Sequence, residues 1–316
     1  MFTNYPTSYQ SLYSELIYSH ETATEGDVTL FISDSTSDEV LGVKKFYTTT
    51  TADINIAPIV RAAAYPDPEL SQSGFITEQS PCLVEVTVSD ADQTATSSRT
   101  FTLSREEESE VGLMSSFDSS DRLIALGEGE WLTLRVDPEK AIEAEIRQYA
   151  YGSDRVSASR LYTLAAQSSG VVTFAVVAEW LSQQSGSLSD IELDYFEVIF
   201  SQDDETIAEV CYSVIDDYEE PTRLAWISSR GSLEHYTFPV VSERVISSER
   251  KQSFTLTSAY ENYTTRKAIA EIVESPLVWL VSGAEYREVS LASDSVEVEP
   301  RRELTVIEVK ISMDNE

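Results

Sequence analysis

The chain has 316 residues, 41% of them hydrophobic and 10% aromatic, enough to bury the cores of two or three ordinary domains. Its net charge is −33, with 55 acidic against 22 basic residues, and the basic ones are scattered. That balance excludes the clustered Lys and Arg that a phosphate backbone or an anionic membrane surface requires, so neither nucleic acid nor membrane is expected as a partner.

The opening residues, MFTNYPTSYQSLYSELIYS, hold no basic n-region and no unbroken apolar core, so no export signal is expected. Short β-type runs then dominate: VTLFI from Val28, CLVEVTV from Cys82, RTFTLS from Arg99 and WLTLRV from Trp131. ELDYFEVIF from Glu192, QSFTLTS from Gln252, VSLAS from Val289 and LTVIEVKIS from Leu304 follow. The first four alternate apolar and polar residues, the period-2 signature of a half-buried strand. Many short strands with frequent turn residues predict a mainly β protein of β-sandwich or partly open barrel domains. The longest apolar-dominated stretch, VVTFAVVAEWL from Val171, is far short of the roughly 20 residues of a membrane-spanning helix.

Helix is scarce. INIAPIVRAAA from Ile54 admits a short helical turn that Pro58 limits upstream. EKAIEAEIRQYAY fits either a helix or a strand. TRKAIAEIVES from Thr265 is the best helix, because Ala268, Ile269, Ile272 and Val273 share one face, and Ser275-Pro276 ends it before the apolar strand LVWLV. Two acidic stretches, REEESEVGLMSSFDSSD and DDYEEPT, read as linkers. They divide the chain into an N-terminal β domain with a leading extended segment (1–126), a middle β domain (127–220) and a C-terminal β domain with the short helix (221–316).

Catalytic chemistry finds no foothold in the pattern. A nucleophile needs a base beside it, and His20 and His235 are the only imidazoles; a surface or capping place is expected for both. Cys82 and Cys211 are too few for a disulfide framework and lie in apolar runs where small buried hydrophobes belong. The acidic pairs Asp90/Asp92, Asp203/Asp204 and Asp216/Asp217 arise readily among 55 acidic residues. No zinc, EF-hand, P-loop or dinucleotide motif is present, and Asn262-Tyr263-Thr264 is a glycosylation sequon by pattern alone. The expectation is a non-enzyme with no catalytic residue, no metal site and no cofactor.

The stretch RLAWISSRGSLEHYTFP, residues 223–239, reads as a β-hairpin with Gly231 supplying a positive φ in its loop. Its aromatics Trp226, Tyr236 and Phe238, with Trp279 of the LVWLV strand, are the candidate core or interface residues. Trp226 is expected to meet the Tyr236/Phe238 pair across the hairpin.

Several segments together resemble structural proteins of tailed bacteriophages and prophages of Bacteroides-type bacteria. The first part carries YPTSYQSLYSELIYSHET and then KKFYTTTTADINIAPIVRAAAY; the closing third carries LAWISSRGSLEHYTFP, the helix segment, ESPLVWLV and two final strands. Ser228 stands where the pattern favours Asn, and the middle, roughly 127–220, is left uncovered. The resemblance implies a virion component of tail-tip or baseplate type, folded in the host cytoplasm. Its partners would be copies of itself and other virion proteins. The alternative from another class is a surface or secreted carbohydrate-binding β-sandwich with exposed Trp and Tyr platforms.

Overall fold

The computed structural model describes residues 1–35, 37–48, 50–63, 68–70, 73–76, 83–105, 110–117, 122–166, 170–177, 193–215, 221–246, 251–292 and 294–314. Cys82, Asp216 and Asp217 lie outside the described residues. The protein is mainly β, built of sandwich sheets and a half-barrel with a short helix near the C-terminal end. The chain divides into two compact units, Met1–Asp67 with Gln79–Ser109 and Pro68–Glu78 with Glu110–Glu316.

In the first unit a five-stranded sheet runs in the order Gln10–Ser11, Thr96–Thr102, Leu83–Asp90, Gly26–Asp34, Val40–Thr48. A smaller sheet pairs Phe2–Asn4, Ile17–Glu21 and Thr51–Asn55. Alternation sets the faces: Val28, Leu30 and Ile32 point inward, as do Val84, Val86 and Val88 on the neighbouring strand. The short helix Ala57–Ala63 starts directly after strand Thr51–Asn55, and Pro58 sits in its first turn, where a missing N–H costs nothing.

The second unit holds two apolar cores. A four-stranded sheet (Gly112–Leu113, Gly129–Arg135, Val171–Val177, Gly74–Ile76) and a five-stranded one (Arg122–Ala125, Glu205–Ile215, Leu193–Gln202, Ile142–Ala150, Val156–Leu164) enclose Leu132, Leu134, Phe174, Phe196, Val198 and Phe200. The ambiguous EKAIEAEIRQYAY segment is thus the strand Ile142–Ala150, with Ile142, Ala144 and Ile146 inward. A seven-stranded sheet follows, ordered Leu233–Phe238, Thr222–Ile227, Val278–Ser282, Glu285–Leu291, Glu308–Asp314, Lys251–Thr257, Val240–Ile246. It curves over Trp226, Phe238, Leu256, Ile269, Ile272 and Val309.

The helix Tyr263–Ala270 begins at Asn262, whose side chain accepts from the Thr265 N–H, and tightens into a 3-10 turn over Glu271–Glu274. The boundaries expected near 126 and 220 both fall inside this second unit. The first linker also holds more than linker: Gly112–Leu113 is a strand, and Met114 and Phe117 are buried. The run from Leu304 enters its strand only at Glu308, and Leu304 itself is exposed.

Candidate functional site

The hairpin pairs Thr222–Ile227 with Leu233–Phe238, in a register that sets Leu224 opposite Tyr236, Trp226 opposite Glu234 and Arg223 opposite Thr237. Its loop closes through the Gly231 N–H to the Ser228 carbonyl at 3.1 Å, with Gly231 at φ 77°. Ser228 also joins Ser232 side chain to side chain at 2.8 Å. Trp226, Tyr236, Phe238 and Trp279 are all buried. Trp226 and Tyr236 do not face each other directly. Phe117 comes between them from outside the hairpin, 5.9 Å from Trp226 and 6.3 Å from Tyr236, while Tyr236 meets Phe238 edge-on at 4.9 Å.

Both faces of the hairpin are buried. One lies on the half-barrel core. The other carries Arg223, Ala225, His235 and Thr237, and the strands Arg122–Ala125 and Gly129–Arg135 pack against it. There a network of charged groups forms. Arg223 sits at 1% exposure and donates Nη2 to Glu130 at 2.6 Å, and Nη1 to the Thr237 hydroxyl at 2.7 Å and the Leu123 carbonyl at 3.3 Å. Arg122 donates to the other Glu130 oxygen at 2.7 Å and to the Ser115 hydroxyl at 2.8 Å. The Tyr212 phenol donates to that same Glu130 oxygen. Glu128 accepts from Thr237 and from the Ala125 N–H, each at 2.8 Å, and lies 3.6 Å from Arg223. Glu234, on the Trp226 face of the hairpin, accepts from Ser116 N–H at 2.9 Å, Ser232 at 2.7 Å and Ser115 at 3.0 Å, and lies 3.9 Å from Arg122.

Burial sets the protonation states. It pushes the Glu234 carboxyl up, against the pull of Arg122. Burial and then Glu130 hold the Tyr212 phenol well above its usual range, so it stays a donor. Burial works against the Arg122 cation, but Glu130, Tyr212 and Glu234 outweigh it and raise its pKa. His235 is pushed well below the ordinary histidine range by burial, then by the fields of Arg223 and Arg122. It is therefore neutral, and its Nε2 meets the Tyr286 hydroxyl at 2.9 Å.

This corrects the surface or capping place expected for the histidines: a strand buried on both faces leaves His235 no route to water. His20 is also buried, 3.5 Å from Asp90. Asp90 itself caps the turn to Thr94, accepting from that residue's N–H and hydroxyl. Asp203 and Asp204 form a hairpin tip at positive φ, with Asp203 at 3.2 Å from Lys140. Among the described residues no three His, Cys, Asp or Glu side chains gather as a metal site.

Sequence reasoning passed over Arg122, Arg223, Glu128, Glu130, Glu234 and Tyr212. A signal was present: GEGEWLTL, TRLAWI and SLEHYTF put charges inside runs with no polar face, so those charges had to be buried together. Chemically the arrangement joins sheets. Its carboxylates and guanidinium groups are engaged with one another and closed to a substrate from solution.

No protein-family model and no curated protein matches the chain. Among solved structures it is similar to the two-immunoglobulin-domain crystal structure of DIP-gamma, at 9% identity over 68% of this chain and 95% of that one, with a TM-score of 0.19. A structure of Dpr2 in complex with DIP-Theta is similar at 8% identity over 99% of this chain and 89% of that one, with a TM-score of 0.20. A protein of unknown function from Porphyromonas gingivalis is similar at 11% identity over 68% of this chain and 98% of that one, with a TM-score of 0.16.

Proposed function

We propose that the chain is a non-enzymatic structural component of a virion, of tail-tip or baseplate type, which acts through β-sheet surfaces on other proteins. The observation that supports this reading is the hairpin itself. The segment that carries the resemblance to phage structural proteins is buried on both faces and locks sandwich and half-barrel into one block through Arg223 and Glu130. A mechanical part needs such a joint, whereas a catalyst needs its charged groups within reach of a substrate. The carbohydrate-binding alternative would require an open aromatic face. The stacked pair on the outer side of the sandwich, Tyr149 on Tyr195 at 4.2 Å, turns one ring face of each onto the other, and Tyr149 is buried.

The test is particle fractionation. Phage particles from a Bacteroides-type host carrying this gene are banded by density, digested and analysed by mass spectrometry, then labelled with gold-conjugated antibody to the chain. The expected result is the chain in the particle band with label at one end of the tail. A chain confined to the particle-free fraction, with specific binding on a glycan array, would overturn the reading in favour of the carbohydrate binder.

A further inference from the structure

An open sheet face presents the side chains of every second residue, spaced about 7 Å apart along a strand. One such row runs along Val40–Thr48, the outermost strand of its sheet. Its register is unbroken from Gly42 to Thr48, which puts Val43, Lys45 and Tyr47 on the face opposite the core residues Val28, Leu30 and Ile32. Val43 is 44% exposed and Tyr47 62%, and Phe31 beside Val43 is 37% exposed. Lys45 is exposed and, among the described residues, has no ion-pair partner. Val40–Thr48 is the one described strand with two cations, Lys44 and Lys45, and it carries no carboxylate.

A second row complements it. On Leu193–Gln202, the central strand of the five-stranded sheet, Tyr195, Glu197 and Ile199 point away from the core residues Phe196, Val198 and Phe200. All three are half-buried. Register gathers carboxylates around them: Glu145 and Glu209 stand opposite Ile199 on either side, and Glu143 lies one outward position beyond Glu145. On the outward positions of these three strands the one cation is Arg147, opposite Glu197, and it donates to Glu145 at 2.7 Å. The Tyr149 hydroxyl donates to one of the two Glu197 oxygens at 2.8 Å. Four carboxylates thus share this face with one guanidinium.

We propose that these rows are the two halves of one contact between copies: the Val43–Lys45–Tyr47 face of one chain stacks on the Tyr195–Glu197–Ile199 face of the next. The proposal deepens the building-block reading and rests on it. Laid antiparallel, Val43 meets Ile199, Lys45 meets Glu197 and Tyr47 meets Tyr195, with equal spacing on both sides. Laid parallel, Lys45 still meets Glu197. Charge complementarity names the occupant. Two copies at −33 each repel across acidic surface, whereas here a lysine set between two apolar side chains faces a net excess of carboxylate. Because the two rows differ, the contact is head-to-tail, and repeated from copy to copy it closes a ring or extends a filament.

The experiment uses the full chain, with light scattering over a concentration series. The expected wild-type result is a mass that rises with concentration to a multimer. Lys45→Glu and Glu197→Lys should each weaken association at least about tenfold by setting like charges together. Glu197→Lys makes the chain less negative, so a loss there does not come from overall repulsion. The two variants mixed, or combined in one chain, should associate again, because every contact then pairs opposite charges. That rescue also shows that both variants fold. Arg301→Glu, at an exposed cation outside the two rows, should leave association unchanged. A wild-type monomer at every concentration overturns the proposal. So does association that survives either single substitution, a loss that the mixture does not rescue, or an equal loss in Arg301→Glu. None of these results touches the particle fractionation, so contact and building-block reading fail separately.

Discussion

The second unit buries arginine in two ways. Arg223 is closed among Glu130, Glu128 and Thr237 at the joint of two sheets. Arg266, fully buried in the C-terminal helix, turns its fork to backbone carbonyls: Glu261 at 2.7 Å, Arg302 at 2.9 Å, Glu299 at 3.0 Å and Thr305 at 3.5 Å. Among the described residues no carboxylate lies within ion-pair distance of it. The first arrangement uses charge to join elements that each already have a core. The second uses the donor count and fixed geometry of a guanidinium to organise residues 299–304, which lie outside the helices and strands. The cation is the same, but what fails on its removal differs.

Removing Arg223 should have the largest effect. Arg223→Ala leaves Glu130 buried at 1% exposure with half its compensation gone, and breaking such a pair typically costs about 3–5 kcal/mol. A lowered denaturation midpoint for the second unit checks this. The loss should be reduced in Arg223→Ala/Glu130→Gln, which discharges the stranded carboxylate. Arg266→Ala should cost less, about 2–3 kcal/mol, because the carbonyls of Glu261 and Thr305 still accept from each other's N–H, and those of Glu299 and Arg302 lie in an exposed segment that water can reach. Its signature is local: exchange in 294–307 should accelerate while the strands around Arg223 keep their protection. Global loss of protection in Arg266→Ala would make the two sites equivalent and break the comparison.

How far the sequence foretold these sites follows from burial. Strands with one wet face were legible because they alternate, as Val28, Leu30 and Ile32 do against Asp27, Thr29 and Phe31. The C-terminal helix was legible from Ala268, Ile269 and Ile272. Strands wet on neither face were misread. WLTLRV looked alternating, yet Thr133 is as buried as Leu132, because both sides of Gly129–Arg135 are covered. The charged joint was hidden for the same reason, since its members come from residues 115 to 237 and meet only through strand order. For Arg266, nothing local announced the carbonyls that fold over it.

The smallest effect is the sharpest discriminator, because it reads which arginine acts on His235. Its imidazole is held well below the usual range by burial and then by Arg223 and Arg122. The unfolded chain takes up a proton near pH 6.5 that the folded chain refuses, so stability is full above that pH and falls as pH drops towards the folded value. The slope reaches at most about 1.4 kcal/mol per pH unit. Glu234 acts oppositely: its raised carboxyl makes stability fall as pH rises from its ordinary value through the folded one. Total stability therefore mixes the two, and the difference between wild type and His235→Gln isolates the histidine. That difference should move against the wild type by up to the stated slope between pH 6.5 and 5.5, and stay flat above pH 7.5. Imidazole NMR should show His235 neutral in the folded wild type across this range. Arg223→Ala should move its titration upward, and Arg266→Ala should leave it unchanged. A His235 that titrates near 6.5 in the wild type would mean that the joint admits water, and the contrast between a charge-closed and a carbonyl-closed arginine would lose its basis.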